Sequence, residues 1–201
     1  NSEKWTVDNP KKVEKEYHNP SGKIYSLSSK ETSAFKKMFT KFEDLDFSKN
    51  ENTFPRTAIR RFGIAIDQRT FEDKIVDYVI SFESLFSAKG IDIQHKMSNR
   101  IALLLGKNNQ ERVDLFHFIK KSYDIRSRIV HGDQIKNIKI QEKPYSMEKI
   151  VTRLDEIARE SVKCFPSLIK KYGKKDDIHN EIDISGLDNK VLKTLHKTKS
   201  R

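Results

Sequence analysis

From residue 30 onward the apolar residues of this chain recur three and four positions apart, which collects them on one face of a helix, and the breaks between runs are polar, Gly or Pro. Phe35, Met38, Phe39 and Phe42 begin the series, with Ser28 or Ser29 as cap and a polar break at "SKNEN". In "FPRTAIRRFGIAIDQ", Pro55 stands at a first-turn position, and Ala58, Ile59, Phe62 and Ile66 share one side. Thr70 is an N-cap for "FEDKIVDYVISFESLFS", whose first turn holds Glu72 and Asp73, where the helix dipole favours carboxylates. After a turn at Gly90, "HKMSNRIALLLG" predicts a shorter, mostly buried helix closed by Gly106. The longest helix is "NNQERVDLFHFIKKSYDIRSRIVHG", capped by Asn108 or Asn109 and running unbroken to Gly132. In "SMEKIVTRLDEIARESVKCF", Met147, Ile150, Val151, Leu154 and Ile157 form one stripe, Pro166 breaks or kinks the helix, and "PSLIKKYG" adds two turns.

The ends read differently. Residues 1–29 have few apolar positions and two Asn-Pro steps, at Pro10 and Pro20, so they read as an irregular arm with a short strand near 23–27. Residues 173–201 read as a polar tail in which "LDNKVLKTLH" can fold back as a small terminal helix. The expected class is therefore all-α, a helical bundle of about five or six helices over residues 30–172.

Two charges interrupt this pattern. On a helical wheel Leu115, Phe116, Phe118, Ile119, Tyr123, Ile125, Ile129 and Val130 occupy about half the circumference, and Arg126 falls near the middle of that arc. Lys120, Lys121 and Asp124 lie off it, as surface charges should. On the helix beginning at Phe71, Glu83 sits between Val79 and Val76 within a wide apolar arc. An unpaired charge on either face would be costly to desolvate, so a buried Glu83–Arg126 ion pair is expected. His131 lies about 140° around the helix from Arg126 and about 7.5 Å along it, so the two share no face of a straight segment. Read structurally, His131 and Gly132 simply terminate the helix.

Composition changes this picture modestly. Forty Lys+Arg against 29 Asp+Glu give a net charge of +11, which attracts polyanions such as RNA, although the lysines are scattered in pairs along solvated faces. With Cys164 as the single cysteine there is no disulfide framework and no thiolate pair for a structural metal, which fits a reducing cytoplasm. No apolar run is long enough to span a bilayer, so no membrane partner is expected. His18, His95, His117, His179 and His196 are scattered without metal-ligand spacing, and no glycine-rich phosphate loop or nucleophile elbow occurs; no cofactor or metal is implied. The chain begins at Asn1, so an upstream domain carrying part of the function is expected.

"FEDKIVDYVISFESLFS", "SNRIALLLG" and "YDIRSRIVHG", in that order, resemble the HEPN domains, a nucleotide-binding helical fold, and most closely their Apea-like branch. The similarity covers residues 55–170, and its mark is an arginine and a histidine separated by four to six residues, here Arg126 and His131. The resemblance implies a bundle that forms a homodimer with the two Arg-x4-His segments facing across a cleft, acting as a metal-independent ribonuclease in phage defence, abortive infection or stress response. Ser127 stands where active branches commonly have Asn, Asp or His. Such chemistry needs a base for the 2′-OH, an acid for the 5′-oxygen and positive charge beside the phosphorane. Histidine serves the first two near neutral pH and arginine forks onto phosphate, so two chains would supply two histidines. On this reading Arg126 and His131 are catalytic, Glu83, Ser127 and Tyr123 support them, and Lys120, Lys121 and Arg128 attract the RNA backbone. The alternative is a non-catalytic module that binds nucleic acid, a nucleotide or a protein partner, with Arg126 serving Glu83 structurally.

Overall fold

A computed structural model describes residues 28–43, 45, 53–87 and 92–199, so the strand expected near 23–27 and the turn at Gly90 lie outside the described residues. Packing divides the chain after Lys37 into two units. Before the division lies the start of α1 (Ser29–Glu43), which opens with reciprocal bonds. Glu31 N–H donates to Ser28 Oγ at 3.3 Å, and Ser28 N–H donates to the Glu31 carboxylate at 2.9 Å, satisfying two amides that the helix leaves free.

Among its described residues the second unit is all-α apart from one small hairpin. Its helices are α2 (Thr53–Asp67), α3 (Phe71–Phe86), α4 (Ile93–Leu105), α5 (Asn109–Val130), α6 (Met147–Tyr172), α7 (Lys175–Ser185) and α8 (Asn189–Lys199). Four of the starts are capped by side chains, α8 among them through Asp188, which accepts from the amide of Lys190 at 2.7 Å. Thr70 accepts from the amide of Asp73 at 3.1 Å, Asn108 from that of Glu111 at 2.9 Å and Ser146 from that of Lys149 at 3.2 Å. Between α5 and α6, β1 (Lys139–Ile140) and β2 (Lys143–Pro144) pair antiparallel through Gln141 and Glu142, both at positive φ. That turn uses neither Asn nor Gly, the residues that usually mark it, which is why helical periodicity gave no sign of it.

Helix α3 is the centre of the unit, packed against α2, α4, α5 and α6. Ile75, Tyr78, Val79, Phe82, Leu85 and Phe86 are all buried. Phe86 meets Phe165 of α6 edge-on at 5.3 Å, and Phe54 of α2 meets the same ring at 5.8 Å. Helix α2 lies close because its inner face is small: Ala58 and Ala65 are fully buried, and Ser81 Oγ donates to Ala58 O at 2.9 Å. Ile66, expected on that inner stripe, is exposed, as are Phe71 and Val130, because each falls at a helix end where the apolar face has turned past its neighbours.

The C-terminal part departs from expectation in two ways. Pro166 does not break α6, which is 26 residues long and continues through it over the two turns expected of "PSLIKKYG". The ring removes one backbone donor, but Phe165, Pro166, Leu168 and Ile169 are buried together, and that packing outweighs the missing bond. Residues 173–199 are not a polar tail, although the terminal helix expected at "LDNKVLKTLH" is present as α8. Ile178, Ile182, Leu192 and Leu195 of α7 and α8 are buried against α4 and α6, raising the bundle above the expected five or six helices. Helix α8 also caps α4: His196 Nε2 lies 2.9 Å from Leu103 O, and Lys199 Nζ donates to Leu104 O at 2.6 Å.

Candidate functional site

The end of α5 is held by a paired backbone motif. Gly132 N–H donates to Ile129 O at 3.0 Å and Asp133 N–H to Arg128 O at 2.9 Å, with Gly132 at φ +80°, a conformation that suits glycine. His131 is therefore the last residue before the chain turns away, at φ −84° and ψ 0°, with its amide donating to Ser127 O at 3.1 Å. Its side chain is exposed. Among the described residues no hydrogen bond or ion pair engages its imidazole.

Arg126 and Glu83 do meet, as their places on α5 and α3 require, with Nη2 3.7 Å from the carboxylate. They are not a buried pair. The side chains keep 25% and 23% of their exposure, the contact is longer than a hydrogen bond, and Arg126 Nε is buried without a partner. Partial burial pushes the Glu83 carboxyl above its usual value, and the attraction of Arg126 only partly offsets it.

The residues around them divide. On an ideal helix Arg126, Val130, Tyr123, Ser127 and His131 occupy one flank of α5 about 140° wide, between the buried face and the outer one. Tyr123 and Ser127 are half-buried there, whereas Val130 keeps 57% of its surface open. Lys120 is exposed on the same flank, between Ser127 and His131, and Lys121 is half-buried on the far side of the helix. Arg128 is engaged locally: Nη2 donates to Gln134 O at 2.7 Å, and Nε lies 3.7 Å from Asp133. Those contacts brace the turn after His131 and leave Arg128 less able to meet a phosphate than the two lysines.

Three other ionic groups went unnoticed in the sequence. Asp77, buried in α3, accepts from Arg61 Nη1 and Gln68 Nε2, both at 2.8 Å. Tyr78 donates to Asp155 at 2.8 Å, and Arg159 donates to the same carboxylate at 2.7 Å while covering the Phe62 ring. Arg100 of α4 is buried and donates to Phe86 O at 2.7 Å, to His179 Nδ1 at 2.9 Å and to Asp183 at 2.9 and 2.7 Å. With Nδ1 accepting, Nε2 carries the His179 proton and donates to Leu85 O at 2.8 Å. The signal that singles out Arg126, a charge inside an apolar run, also marks Asp77 in "KIVDYVISF" and Arg100 in "SNRIALLLG". Arg100, His179 and Asp77 are buried, but Arg159 and Asp183 keep nearly half of their exposure and Arg61 Nε is buried without a partner, so what sets the end of α5 apart is the exposed, unengaged His131.

Cys164 is ill suited to nucleophilic work, because burial pushes its thiol up to about 11. Among the described residues no three His, Cys, Asp or Glu side chains gather in a metal-holding group, and no helix is long and apolar enough to cross a membrane. Compared with protein-family models, with curated proteins and with solved structures, the chain finds no match.

Proposed function

We propose that this chain is a HEPN-type, metal-independent endoribonuclease that works as a homodimer, with Arg126 and His131 at a cleft shared by two copies. The observation that carries the reading is the state of these two side chains at the end of α5. His131 is exposed and unengaged on a capped turn, and Arg126, a quarter of its side chain exposed, is held only loosely by Glu83. A planar guanidinium is suited to clamp a phosphate. Histidine is a side chain that can serve as either base or acid in such chemistry. In one chain the two are turned about 140° apart, so a second copy is what brings a second histidine to the opposite side of the scissile phosphate. Val130, apolar and open between them, gives that copy a surface to cover. Lys120 and Lys121 supply sequence-independent attraction for the RNA backbone.

The test is incubation of the purified chain with mixed single-stranded RNAs in EDTA, beside its His131→Ala variant. Cleavage by the parent alone, leaving 2′,3′-cyclic phosphate ends, is the expected result. Equal cleavage by both would remove His131 from the mechanism. A second reading, a binding module without catalysis, draws on Arg126 being partly occupied by Glu83 and on Ser127 following it. Its mark is RNA retention with no cleavage by either protein.

A further inference from the structure

Periodicity places Phe116 on the apolar arc of α5, yet it stays off the core that takes up its neighbours Leu115, Phe118 and Ile119. Half-buried, its ring meets two histidines instead, His95 of α4 at 5.3 Å and the adjacent His117 at 5.4 Å. Both histidines are exposed. The rings cross at 73° and 85°, so each contact is made by an edge and neither histidine is stacked on Phe116.

The cations beside these rings are open. Lys96 follows His95, and Lys120 stands one turn beyond Phe116; both are exposed, and among the described residues neither ammonium group pairs with a carboxylate. Of the acidic residues on this stretch of α5, Asp114 accepts from Gln110 at 3.0 Å and Asp124 from Gln94 at 2.5 Å, away from the two lysines. Past Lys120 the same flank continues. Phe116, Lys120, Tyr123, Ser127 and His131 fall within about 80° of one another on an ideal helix, and about 22 Å of axis separates the first from the last. That is the length of about six stacked nucleotides.

We propose that His95, Phe116 and His117 form a stacking platform for the bases of single-stranded RNA, at the far end of a track along α5 that leads to His131. Every base has a π face, so exposed rings hold a strand whatever its sequence, while the lysines beside them meet its phosphates. In a duplex those faces are already stacked, so the platform selects single strands. Two of the three rings carry polar nitrogens and their neighbours are cations, on a chain of net charge +11, which suits a polyanion better than an apolar protein face. The direction of the track rests on the nuclease reading, whereas the platform binds whether or not the chain cuts.

The experiment measures, by fluorescence anisotropy, binding of the full chain to a fluorescein-labelled 2′-O-methyl single strand, beside a duplex of the same length. Such a strand has no free 2′-OH to attack its own phosphates, so binding is read apart from cleavage. His95→Ala with His117→Ala should weaken the single strand about ten-fold, leave the duplex unchanged and keep the salt dependence, because rings are lost and the lysines stay. Phenylalanine at both positions should restore the affinity. Lys96→Gln should instead lower the salt slope by about one. Equal single-strand binding by the parent and the double alanine variant would overturn the proposal. So would an equal loss on the duplex, a loss that phenylalanine fails to restore, or no binding by the parent. Binding through the platform alongside uncut RNA in the cleavage assay would overturn the nuclease reading alone.

Discussion

Arg126 on α5 reaches Glu83 on α3 at 3.7 Å, yet both side chains keep about a quarter of their exposure and the guanidinium Nε has no partner. A fully enclosed pair would lose about 3–5 kcal/mol when one partner is removed, but this contact lies closer to the surface regime. Arg126→Ala should cost about 1 kcal/mol by chemical denaturation. A loss above about 3 kcal/mol would mean that the pair is enclosed.

The Glu83 carboxyl is raised above its ordinary value, so the native state holds this proton more tightly than the unfolded chain does. With more protons bound in the native state, stability falls as pH rises from the unfolded pKa through the folded one. Glu83→Gln, which cannot ionise, should therefore lose less stability than the parent as the pH rises above the ordinary carboxyl value of 4.5. Parallel stability curves over that range would contradict the carboxyl's assignment.

His179 has the opposite sign. Burial, with further repulsion from Arg100 and Lys175, lowers its pKa to about 4 against the accepting Leu85 carbonyl. The unfolded chain thus binds a proton that the native state refuses, and the contribution is lost as pH falls from about 6.5 to about 4. Linkage sets this loss at up to about 3 kcal/mol, and His179→Gln should flatten that part of the curve whatever its effect at neutral pH. An imidazole resonance of His179 titrating near 6.5 in the folded protein would refute it.

Ending the chain after Gly173 should abolish cooperative folding. The cut removes Ile178, Ile182, Leu192 and Leu195 from the core and takes from the Arg100 guanidinium its partners His179 and Asp183. Four buried apolar side chains at about 2 kcal/mol each already match the stability of an ordinary domain. A sharp thermal transition by circular dichroism at the parent's Tm would show that the two helices are dispensable.

At the corner between α4 and α5 the constraint on Gly106 is space, since its φ of −71° suits any residue. A Cβ there would stand 2.5 Å from Arg112 Cγ and 2.8 Å from the Ala102 carbonyl oxygen. Arg112 can move but the helix carbonyl cannot, so Gly106→Ala should lower stability by about 1–3 kcal/mol, measured as a shift in urea midpoint.

The sequence by itself determined the helical class, the places of α2 to α6, their caps at Thr70, Asn108 and Ser146, and the stop at Gly132, because periodicity and capping are local. It also placed Glu83 and Arg126 toward each other, since each interrupts an apolar face on packed helices. Only the tertiary structure decided how open that pair is, because exposure depends on which neighbours cover a flank. It alone turned residues 175–199 into core, where a few apolar positions among many charges suffice once α4 and α6 present a matching groove. And it alone joined Arg100 to His179 and Asp183 from about 80 residues away, the kind of contact that spacing along a chain does not encode.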